Sequence, residues 1–362
     1  MSVAAVAEPG VFALLIGLPA VVVITRLLGI RRFPIFAIVQ DTMPVVLLLA
    51  WVGLVVAAIA RAWPLVAVAG VLAAYHLALV IRLAVRSSPP RWVRSAPTTT
   101  LALANVYVDN DEFAVAARQL IEVGADVLVV VETTPAFREA FDAEGGTERY
   151  PFRTFDADDD GEYAVSLYAR SEPVKIEMID IGELRCATAR LNVGSVQLKV
   201  VGAIPMAAVD PGGYEVWHRQ VQSLSRFATR VDHPLVIAGD LNTTVHRAAF
   251  TELDEAGLTD AHDALGEGWR PSFKLSARGA LARLGPLVRL DHALTNRWVW
   301  ATEVHDLDAA GSDHRPFVVT LAVRSSRNRY HRPRASSNDR ASRACPPMGL
   351  SEMATGHLNP NE

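Results

Sequence analysis

The chain has 362 residues, enough for one large domain with appended segments or for two domains. Its formal net charge of −4 gives no general attraction to nucleic acid. Its only cysteines are Cys186 and Cys345, too few for a zinc site, and a structural disulfide is not expected because Cys345 lies in a polar tail. The mean hydropathy of +0.21 is high for a soluble protein, and the excess is concentrated in the N-terminal quarter.

Three uncharged apolar runs occupy that quarter: 9–25, 42–60 and 62–81. The second and third are about as long as a hydrocarbon core requires and are separated by little more than Arg61 and Pro64, which predicts a transmembrane hairpin. The first run is shorter and contains Pro19, so it is either a third span or an interfacial helix. Residues 1–86 are therefore predicted to form an anchor with two or three transmembrane helices, which makes the chain a multi-pass protein of the cell membrane with the lipid bilayer as a partner.

Arginines flank the loop between the first and second runs and also follow the third run, whereas Arg61 alone lies between the second and third runs. By the positive-inside rule this distribution favours a cytoplasmic C-terminal region. The arginines concerned are Arg26, Arg31, Arg32, Arg82, Arg86, Arg91 and Arg94.

The remaining chain divides by composition. Residues 87–99, rich in Ser, Pro and Thr, read as a linker, 100–323 as a folded domain, and 324–362 as a disordered basic tail. Several consecutive strands in the middle of the domain lack a helix between them, which disfavours a purely parallel sheet and favours an α/β (α+β) arrangement of mixed sheets with outer helices. The strand-like runs are 100–108, 126–131, 164–169, 185–191, 196–201, 234–238, 289–294 and 317–323.

Polar residues stand at the ends of several of these strands. Gly239 can supply a sharp turn or a close backbone approach, and Asp240 and Asn242 lie two apart, so they point to the same side if the strand continues. Each such residue taken alone is more often a turn or capping residue. Glu132 is more informative because a carboxylate directly after five apolar residues must reach a cation, a hydrogen-bond donor or the protein edge.

Taken together, these residues contain the parts of a metal-assisted phosphoester hydrolase. Glu132 and Asp313 supply carboxylate oxygens, the ligands that hard divalent cations prefer. Asp240 suits the positioning of a water nucleophile. Asn242 and a protonated His314 suit the phosphate oxygens. Asp291, the remaining carboxylate of this set, is suited to orient His314 and to raise the pKa of its imidazole.

Three segments resemble the endonuclease/exonuclease/phosphatase superfamily, in particular its membrane-anchored bacterial members: 238–242, 290–294 and 311–316, preceded by Asn105 and Glu132. The resemblance covers roughly 100–323. It implies a four-layered sandwich of two mixed β-sheets flanked by helices, and a Mg²⁺ ion, with Mn²⁺ as a substitute. Its ligands would be Glu132 with Asn105 beside it and Asp313 next to the metal. The resemblance also implies that Asp240 activates water, Asn242 binds the phosphate and Asp291 orients His314.

One position departs from the family pattern. Members usually carry a His in the strand that corresponds to 200–205, and Ile204 stands there in this chain. An isoleucine cannot donate a hydrogen bond to phosphate, and loss of one such donor costs about 10²–10³-fold in rate. The alternative to an active hydrolase is therefore a catalytically impaired, membrane-tethered binding or scaffold protein that retains the fold.

The substrate is left open between a membrane-associated phosphoester and nucleic acid. The anchor favours the former, while four arginines near the Asp291 strand either contact phosphates or belong to a solvated loop: Arg270, Arg278, Arg283 and Arg289. The acidic run 156–160 lacks the spacing of a calcium loop and reads as an exposed turn. Membrane-anchored bacterial members of the family carry the catalytic domain outside the cytoplasm, contrary to the arginine distribution, so the side of the membrane is also left open.

Overall fold

The first apolar run forms α1 (Pro9–Leu27) in the computed structural model, which describes residues 9–30, 34–155, 161–209, 212–274, 283, 285–308 and 310–326. The acidic run 156–160, Arg278 and the tail beyond Ser326 lie outside the described residues. Pro19 does not end the helix. A π-helical turn at Ala13–Gly17 precedes it, and such a turn accommodates a proline, which lacks an N–H and crowds the carbonyl four residues earlier.

The next apolar residues form four further helices: α2 (Pro34–Asp41), α3 (Met43–Val46), α4 (Leu48–Ile59) and α5 (Trp63–Ala84). Among the described residues, α1 and α5 are each long and apolar enough to cross a membrane, with a mean hydropathy of 2.2. The helices from Ile35 to Asp41 and from Met43 to Ile59 pass the same test only together, as a pair bent by 71°. The described part of the chain therefore holds two candidate spans, or three if the bent pair is one.

In the described part of the chain, twelve strands form two six-stranded sheets. The first sheet has the order β11-β12-β1-β2-β4-β3, and β1 and β2 run parallel while the other neighbours run antiparallel. Its strands are β1 (Thr98–Asn105), β2 (Val127–Val131), β3 (Phe152–Phe155), β4 (Val165–Ala169), β11 (Val299–Asp306) and β12 (Phe317–Val323).

The second sheet has the order β5-β6-β7-β8-β10-β9, with β7 and β8 as its parallel pair. Its strands are β5 (Lys175–Ile181), β6 (Leu184–Val193), β7 (Val196–Gly202), β8 (Leu235–Asp240), β9 (Leu258–Asp260) and β10 (Asp291–Asn296). Each sheet thus has one parallel pair near its centre, and the two carboxyl ends of such a pair lie at the same edge.

The inner faces of the two sheets pack against each other through branched apolar side chains such as Leu103, Val129, Val200 and Val236. Helices cover the outer faces. The helices of this region are α6 (Phe113–Val123), α7 (Pro135–Ala143), α8 (Gly146–Arg149), α9 (Gly213–Arg230), α10 (Thr251–Glu255) and α11 (Ala261–Leu265). Leu120 of α6 and Phe137 of α7 pack on the first sheet, and Trp217 of α9 packs on the second. The predicted four-layered sandwich of two mixed sheets flanked by helices is confirmed.

The N-terminal apolar helices contact this sandwich directly. At the end of α5, the Ala264 carbonyl accepts a hydrogen bond from Ser87 N at 2.9 Å. The residue after α11, Gly266, passes so close to the segment after α5 that a Cβ on it would lie 2.7 Å from Arg86 N. Its φ is +73°, so glycine is required here. Ala37 of α2 belongs to the same core cluster as Trp217. The end of α5 and the middle helix α2 are therefore both fixed against the sandwich.

Candidate active site

The Gly-Asp-x-Asn segment begins at the end of β8. A Cβ on Gly239 would lie 1.7 Å from the Ala203 carbonyl oxygen, so this glycine serves a close approach of β7 and β8 rather than a turn. Across the antiparallel pair of β8 and β10, Asp240 is the register partner of Asp291. The two carboxylates therefore lie at the same end of the second sheet.

The parallel pair of the first sheet supplies the next two residues. Asn105, the last residue of β1, pairs in register with Val131, and Glu132 follows directly. The segment before β12 is tied to the same place, because Ser312 Oγ donates to the Asn105 carbonyl at 2.9 Å and accepts from His314 N at 3.0 Å. Six of the predicted residues thus come from strand ends that meet at one edge of the sandwich.

Backbone strain is concentrated at this edge. Glu132 has φ of 58°, Tyr107 has 61° and Asn242 has 50°, and the left-handed conformation costs of order 1–3 kcal/mol for a residue other than glycine. Each strained residue is held by hydrogen bonds. Glu132 Oε2 accepts from Val108 N at 2.9 Å, Tyr107 N donates to Asn105 Oδ1 at 2.9 Å, and Asn242 N donates to Asp240 Oδ1 at 2.9 Å.

Asn105 links two carboxylates across the sheets. Its Nδ2 donates to Glu132 Oε1 at 2.6 Å and to Asp240 Oδ2 at 3.1 Å. Burial raises the pKa of Glu132 to about 7, against the hydrogen bond from Asn105, and burial also raises the pKa of Asp240. Without a bound cation, these two carboxyl groups therefore hold their protons more tightly than exposed ones do.

A chain of hydrogen bonds orients His314. Its Nδ1 lies 2.7 Å from Asp291 Oδ2, and its Nε2 lies 3.5 Å from Asp240 Oδ2. Burial alone would lower the pKa of His314, but the charges of Asp291 and Asp240 raise it to about 10. The pKa of Asp291 is lowered despite its burial, chiefly by the charge of His314 and the hydrogen bond between them. The imidazole is thus an imidazolium that points Nε2 toward Asp240.

Ser272 completes this chain, and sequence reasoning missed it. Its hydroxyl donates to Asp291 Oδ2 at 2.6 Å and accepts from Leu290 N at 3.1 Å. The next residue, Phe273, pairs by isolated bridges with Val288 and His314, and its ring centroid lies 4.9 Å from that of His314. No sequence signal distinguishes this serine from other loop serines.

His292 was also assigned no role. It is fully buried; its Nδ1 lies 2.9 Å from Asp260 Oδ2 and its Nε2 lies 2.9 Å from the Thr243 carbonyl. Asp260 in turn accepts from Asp263 N and so caps α11. His292 therefore fastens the loop that carries Asn242 to β9 and α11. A signal existed, since His292 follows Asp291 in a strand whose other members are apolar or small.

The meeting point opens into a cavity of about 450 Å³. Glu132, Asp240, Asn242, Asp313 and His314 line it, so the structure brings these five predicted residues to one space, while Asn105 and Asp291 stand behind them. Asn242 Nδ2 donates to the Pro205 carbonyl at 2.9 Å. Ile204, 2% exposed, forms part of the wall, together with Ile38, Asp41 and Thr42 from the anchor.

The donor set fits a hard divalent cation. Ligand atoms of Glu132, Asp240 and His314 lie within 4.8 Å of one another, and all three residues are buried. An imidazolium cannot ligate a cation, which leaves carboxylate oxygens as the ligands that such an ion prefers. Asp313 Oδ1 is buried and has no hydrogen-bond partner among the described residues, and burial raises the pKa of this carboxyl group. A cation would satisfy this oxygen and offset the clustered negative charge.

The arginines near β10 are engaged elsewhere. Arg289 Nη2 donates to Asp306 Oδ1 at 2.9 Å, and Arg270 Nε lies 2.6 Å from Glu267 Oε2. Neither side chain lines the cavity. Arg283 is exposed in a turn. The described members of this group therefore belong to a local ion network and the surface, and the interpretation that they contact a phosphate in the cavity has no support in these contacts.

The model of the Endonuclease/Exonuclease/phosphatase family matches residues 102–314, whereas no curated protein matches the chain. A humanized D. rerio TDP2 with 14 mutations is 16% identical, with a TM-score of 0.50 over 62% of this chain and 99% of that one. The endonuclease/exonuclease/phosphatase of Beutenbergia cavernae DSM 12333 is 16% identical, with a TM-score of 0.50 over 63% and 72% of the two chains. The corresponding protein of Bacteroides vulgatus is 14% identical, with a TM-score of 0.50 over 63% and 99%. At these identities the solved structures show a shared fold. Because the family model covers more than half of its length, the chain belongs to the endonuclease/exonuclease/phosphatase family.

Proposed function

We propose that this protein is a membrane-anchored phosphoester hydrolase that depends on a divalent cation, Mg²⁺ with Mn²⁺ as a substitute. The observation that carries the proposal is the convergence of Glu132, Asp240 and His314 within 4.8 Å in one cavity, with Asp291 bound to His314. Members of the family hydrolyse phosphoesters, and these residues supply the groups that such a reaction needs.

The proposed metal site consists of Glu132 and Asp313, with Asn105 holding the Glu132 carboxylate in place through its 2.6 Å hydrogen bond. When bound, the cation neutralises phosphate charge and acts as a Lewis acid. The pKa of Glu132, about 7 through burial, falls when a cation is bound, so metal binding releases a proton near neutral pH.

The other residues position water and phosphate. Asp240 accepts hydrogen bonds from the attacking water and orients it toward phosphorus. His314 remains protonated between Asp291 and Asp240, so its Nε2–H is available to a phosphate oxygen on which charge develops. Asn242 lines the same wall, and its amide turns from the Pro205 carbonyl to the phosphate when substrate is bound.

The cavity favours a membrane-associated phosphoester over nucleic acid. Three of its lining residues, Ile38, Asp41 and Thr42, belong to the anchor, and the exposed side chains of Val209 and Leu287 add apolar surface. A nucleic-acid groove is instead rich in basic side chains, whereas the described lining of this cavity carries five carboxyl groups against Arg247 and His314. We therefore propose that the protein is a multi-pass protein of the cell membrane and that its substrate carries an apolar group.

The test uses the full chain in detergent micelles with three substrates: bis-(p-nitrophenyl) phosphate, plasmid DNA and a long-chain lipid phosphodiester. Hydrolysis is expected with Mg²⁺ or Mn²⁺ and not with EDTA. Asp240→Asn and His314→Gln are each expected to lower kcat by about 10²–10⁴-fold. Asp180→Asn, which removes an exposed partner of Arg185, serves as the matched control with unchanged kcat.

Turnover that persists in EDTA or in Asp240→Asn would overturn the proposal. A folded protein that hydrolyses none of the three substrates and binds no cation would instead favour the scaffold alternative, for which the specific observation is Ile204 in the cavity wall.

A further inference from the structure

The loop that follows Asn242 carries an arginine to which the proposed chemistry gives no role. Arg247 is 4% exposed, and its guanidinium carbon lies 4.3 Å from the centroid of the Trp217 ring. It lines the cavity that also contains Asp240 and His314. A buried guanidinium at this place needs an explanation, because burying an arginine is costly unless its charge and its N–H groups are compensated.

Asp41 of the anchor compensates part of this buried charge. Arg247 Nε donates to Asp41 Oδ1 at 3.2 Å, and Nη2 donates to Asp41 Oδ2. The same Asp41 carboxylate accepts from Thr244 N at 3.2 Å and Thr244 Oγ1 at 3.0 Å. Gln40 Oε1 adds a hydrogen bond from Ala248 N at 2.9 Å. Two successive residues of α2 thus fix the loop and hold the guanidinium in one orientation.

The third nitrogen of this guanidinium is left over. Arg247 Nη1 is buried and has no hydrogen-bond partner among the described residues. Asp41 binds the edge of the planar group formed by Nε and Nη2, and one face lies on Trp217, so the group is held rigidly while the two N–H donors of Nη1 have no partner among the described residues. Such an arrangement suits a ligand oxygen.

Cationic side chains are scarce in the described wall of the cavity. Of the described lining residues, only Arg247 and His314 are cationic, whereas five carry carboxyl groups: Asp41, Glu132, Glu162, Asp240 and Asp313. An anion in this space needs a cationic donor in addition to the metal. Ile204 supplies none where relatives are expected to carry a His.

We propose that Arg247 binds a non-reacting phosphate oxygen of the substrate, and that Asp41 of the anchor is the positioning residue that holds Arg247 for this purpose. This inference rests on the proposed function and adds to it an anion subsite, built jointly by the anchor and the catalytic loop. The subsite recognises the phosphate group itself, whether it belongs to a lipid or to a soluble ester.

The variants are chosen so that the buried charge stays balanced. Arg247→Lys keeps the pairing with Asp41 but loses the guanidinium fork. The double variant Asp41→Asn/Arg247→Gln removes both charges at once, which avoids an unpaired buried ion. Asp41→Asn alone leaves Arg247 without its partner and tests the positioning role. Arg118→Gln, an exposed arginine paired with Glu144 on the far side of the first sheet, is the control.

Each full-length variant is assayed in micelles for thermal stability, for Mg²⁺ affinity, for inhibition by inorganic phosphate, and for kcat and KM. We expect Arg247→Lys and the double variant to weaken phosphate inhibition and lower kcat/KM by about 10–100-fold, the usual contribution of a hydrogen bond to a charged group, with Mg²⁺ affinity unchanged. Asp41→Asn is expected to have a smaller effect of the same kind.

A merely structural role for Arg247 predicts lower thermal stability with unchanged phosphate inhibition in the molecules that remain folded, and this result would overturn the inference. The inference would also be overturned if Arg247→Lys, whose charge balance is intact, is inhibited by phosphate and hydrolyses substrate as the wild type does. This outcome is distinguishable from failure of the proposed function. If the Arg247 variants keep full activity while Asp240→Asn loses it, the proposed hydrolase stands and only the subsite is rejected.

Discussion

At the scale of single residues, Ile204 stands where the resemblance to the family predicts a His. It is 2% exposed, belongs to the core between the sheets and lines the cavity together with Asn242 and His314. An apolar side chain there shapes the wall but offers no hydrogen bond to a phosphoryl oxygen on which charge develops.

We therefore predict that Ile204→His raises kcat. The expected gain is at least about tenfold, toward the ~10²–10³-fold that one such donor contributes in other hydrolases. The measurement is kcat at saturating substrate, with Ile204→Val as the control, because valine changes the volume of the wall without adding a donor and costs about 0.5–1.5 kcal/mol in stability. Equal kcat values for the His and Val variants would contradict a missing donor at this position.

The candidate site could be predicted where a polar residue interrupts or ends an apolar run. Glu132 and Asp240 are of this kind, and the cavity contains both. Arg247 and Ser272 could not be found in this way, because their importance comes from partners distant in sequence. Asp41 lies 206 residues from Arg247, and Asp291 lies 19 residues from Ser272. No local spacing encodes such contacts.

At the scale of elements, β10 connects the two halves of the site. Its first residue, Asp291, faces His314, while the next, His292, points to the opposite face and binds Asp260 and the Thr243 carbonyl. This alternation follows from the two-residue period of a strand. The strand thus aligns a proposed catalytic pair on one side and secures the Asn242 loop on the other.

The buried pair of His292 and Asp260 has a predictable pH dependence. Although burial opposes it, His292 lowers the pKa of Asp260 to about 2, and Asp260 raises the pKa of His292 against its burial. The depressed carboxyl pKa contributes stability that is present above pH ~4 and lost as the pH falls toward about 2. The raised imidazole pKa contributes stability that is present below pH ~6.5 and lost as the pH rises through the folded value. The pair therefore stabilises most between these limits.

Asp260→Asn is predicted to destabilise the protein by about 3–5 kcal/mol within that window, because it leaves a buried imidazolium without its partner. The measurement is thermal unfolding of wild type and variant in micelles from pH 3 to pH 9. The difference in melting temperature should be largest between pH ~4 and ~6.5 and should narrow on both sides. Asp180→Asn, at an exposed ion pair, provides the control. A difference that does not vary with pH would show that the pair is not charged in the folded protein.

Three of the eight strands that sequence reasoning found are buried on both faces. Every residue of β2, β4 and β8 is buried, and runs of mainly apolar residues predicted all three. Sequence reasoning missed β3, β5, β9 and β11, and all four are edge strands. The first three are half-exposed or only three residues long, and β11 carries Glu303 and Asp306 among its apolar residues. Edge strands gain less from burial, so their sequences carry a weaker pattern.

At the scale of the whole molecule, the proposed anchor also contributes side chains to the cavity. Its α2 supplies Gln40 and Asp41 to the loop after Asn242, and Ile38 to the cavity wall. The chain bends by 71° directly after this contact. The apolar surface of the anchor and the proposed reaction centre are therefore parts of one cavity. A fragment that lacks the anchor would expose Arg247 without Asp41 and would lack one wall.

This arrangement predicts that the anchor helps to select substrates by their apolar group. Ile38 is 42% exposed and lines the cavity, so Ile38→Asn should lower kcat/KM for a long-chain lipid phosphodiester by about tenfold, since contact with an isoleucine-sized surface contributes about 1.5–3 kcal/mol when burial is complete. It should leave kcat/KM for bis-(p-nitrophenyl) phosphate within about twofold, because that ester has no chain to contact Ile38 and the groups around Asp240 are untouched.

Val115→Asn is the matched control, since Val115 is an equally exposed apolar residue, 41%, on α6 outside the cavity. The ratio of the two kcat/KM values is the quantity to compare, because it cancels losses of folded protein. An unchanged ratio in Ile38→Asn would show that the apolar group of the substrate does not lie against α2, and the proposal of a membrane-associated substrate would then lose its structural basis.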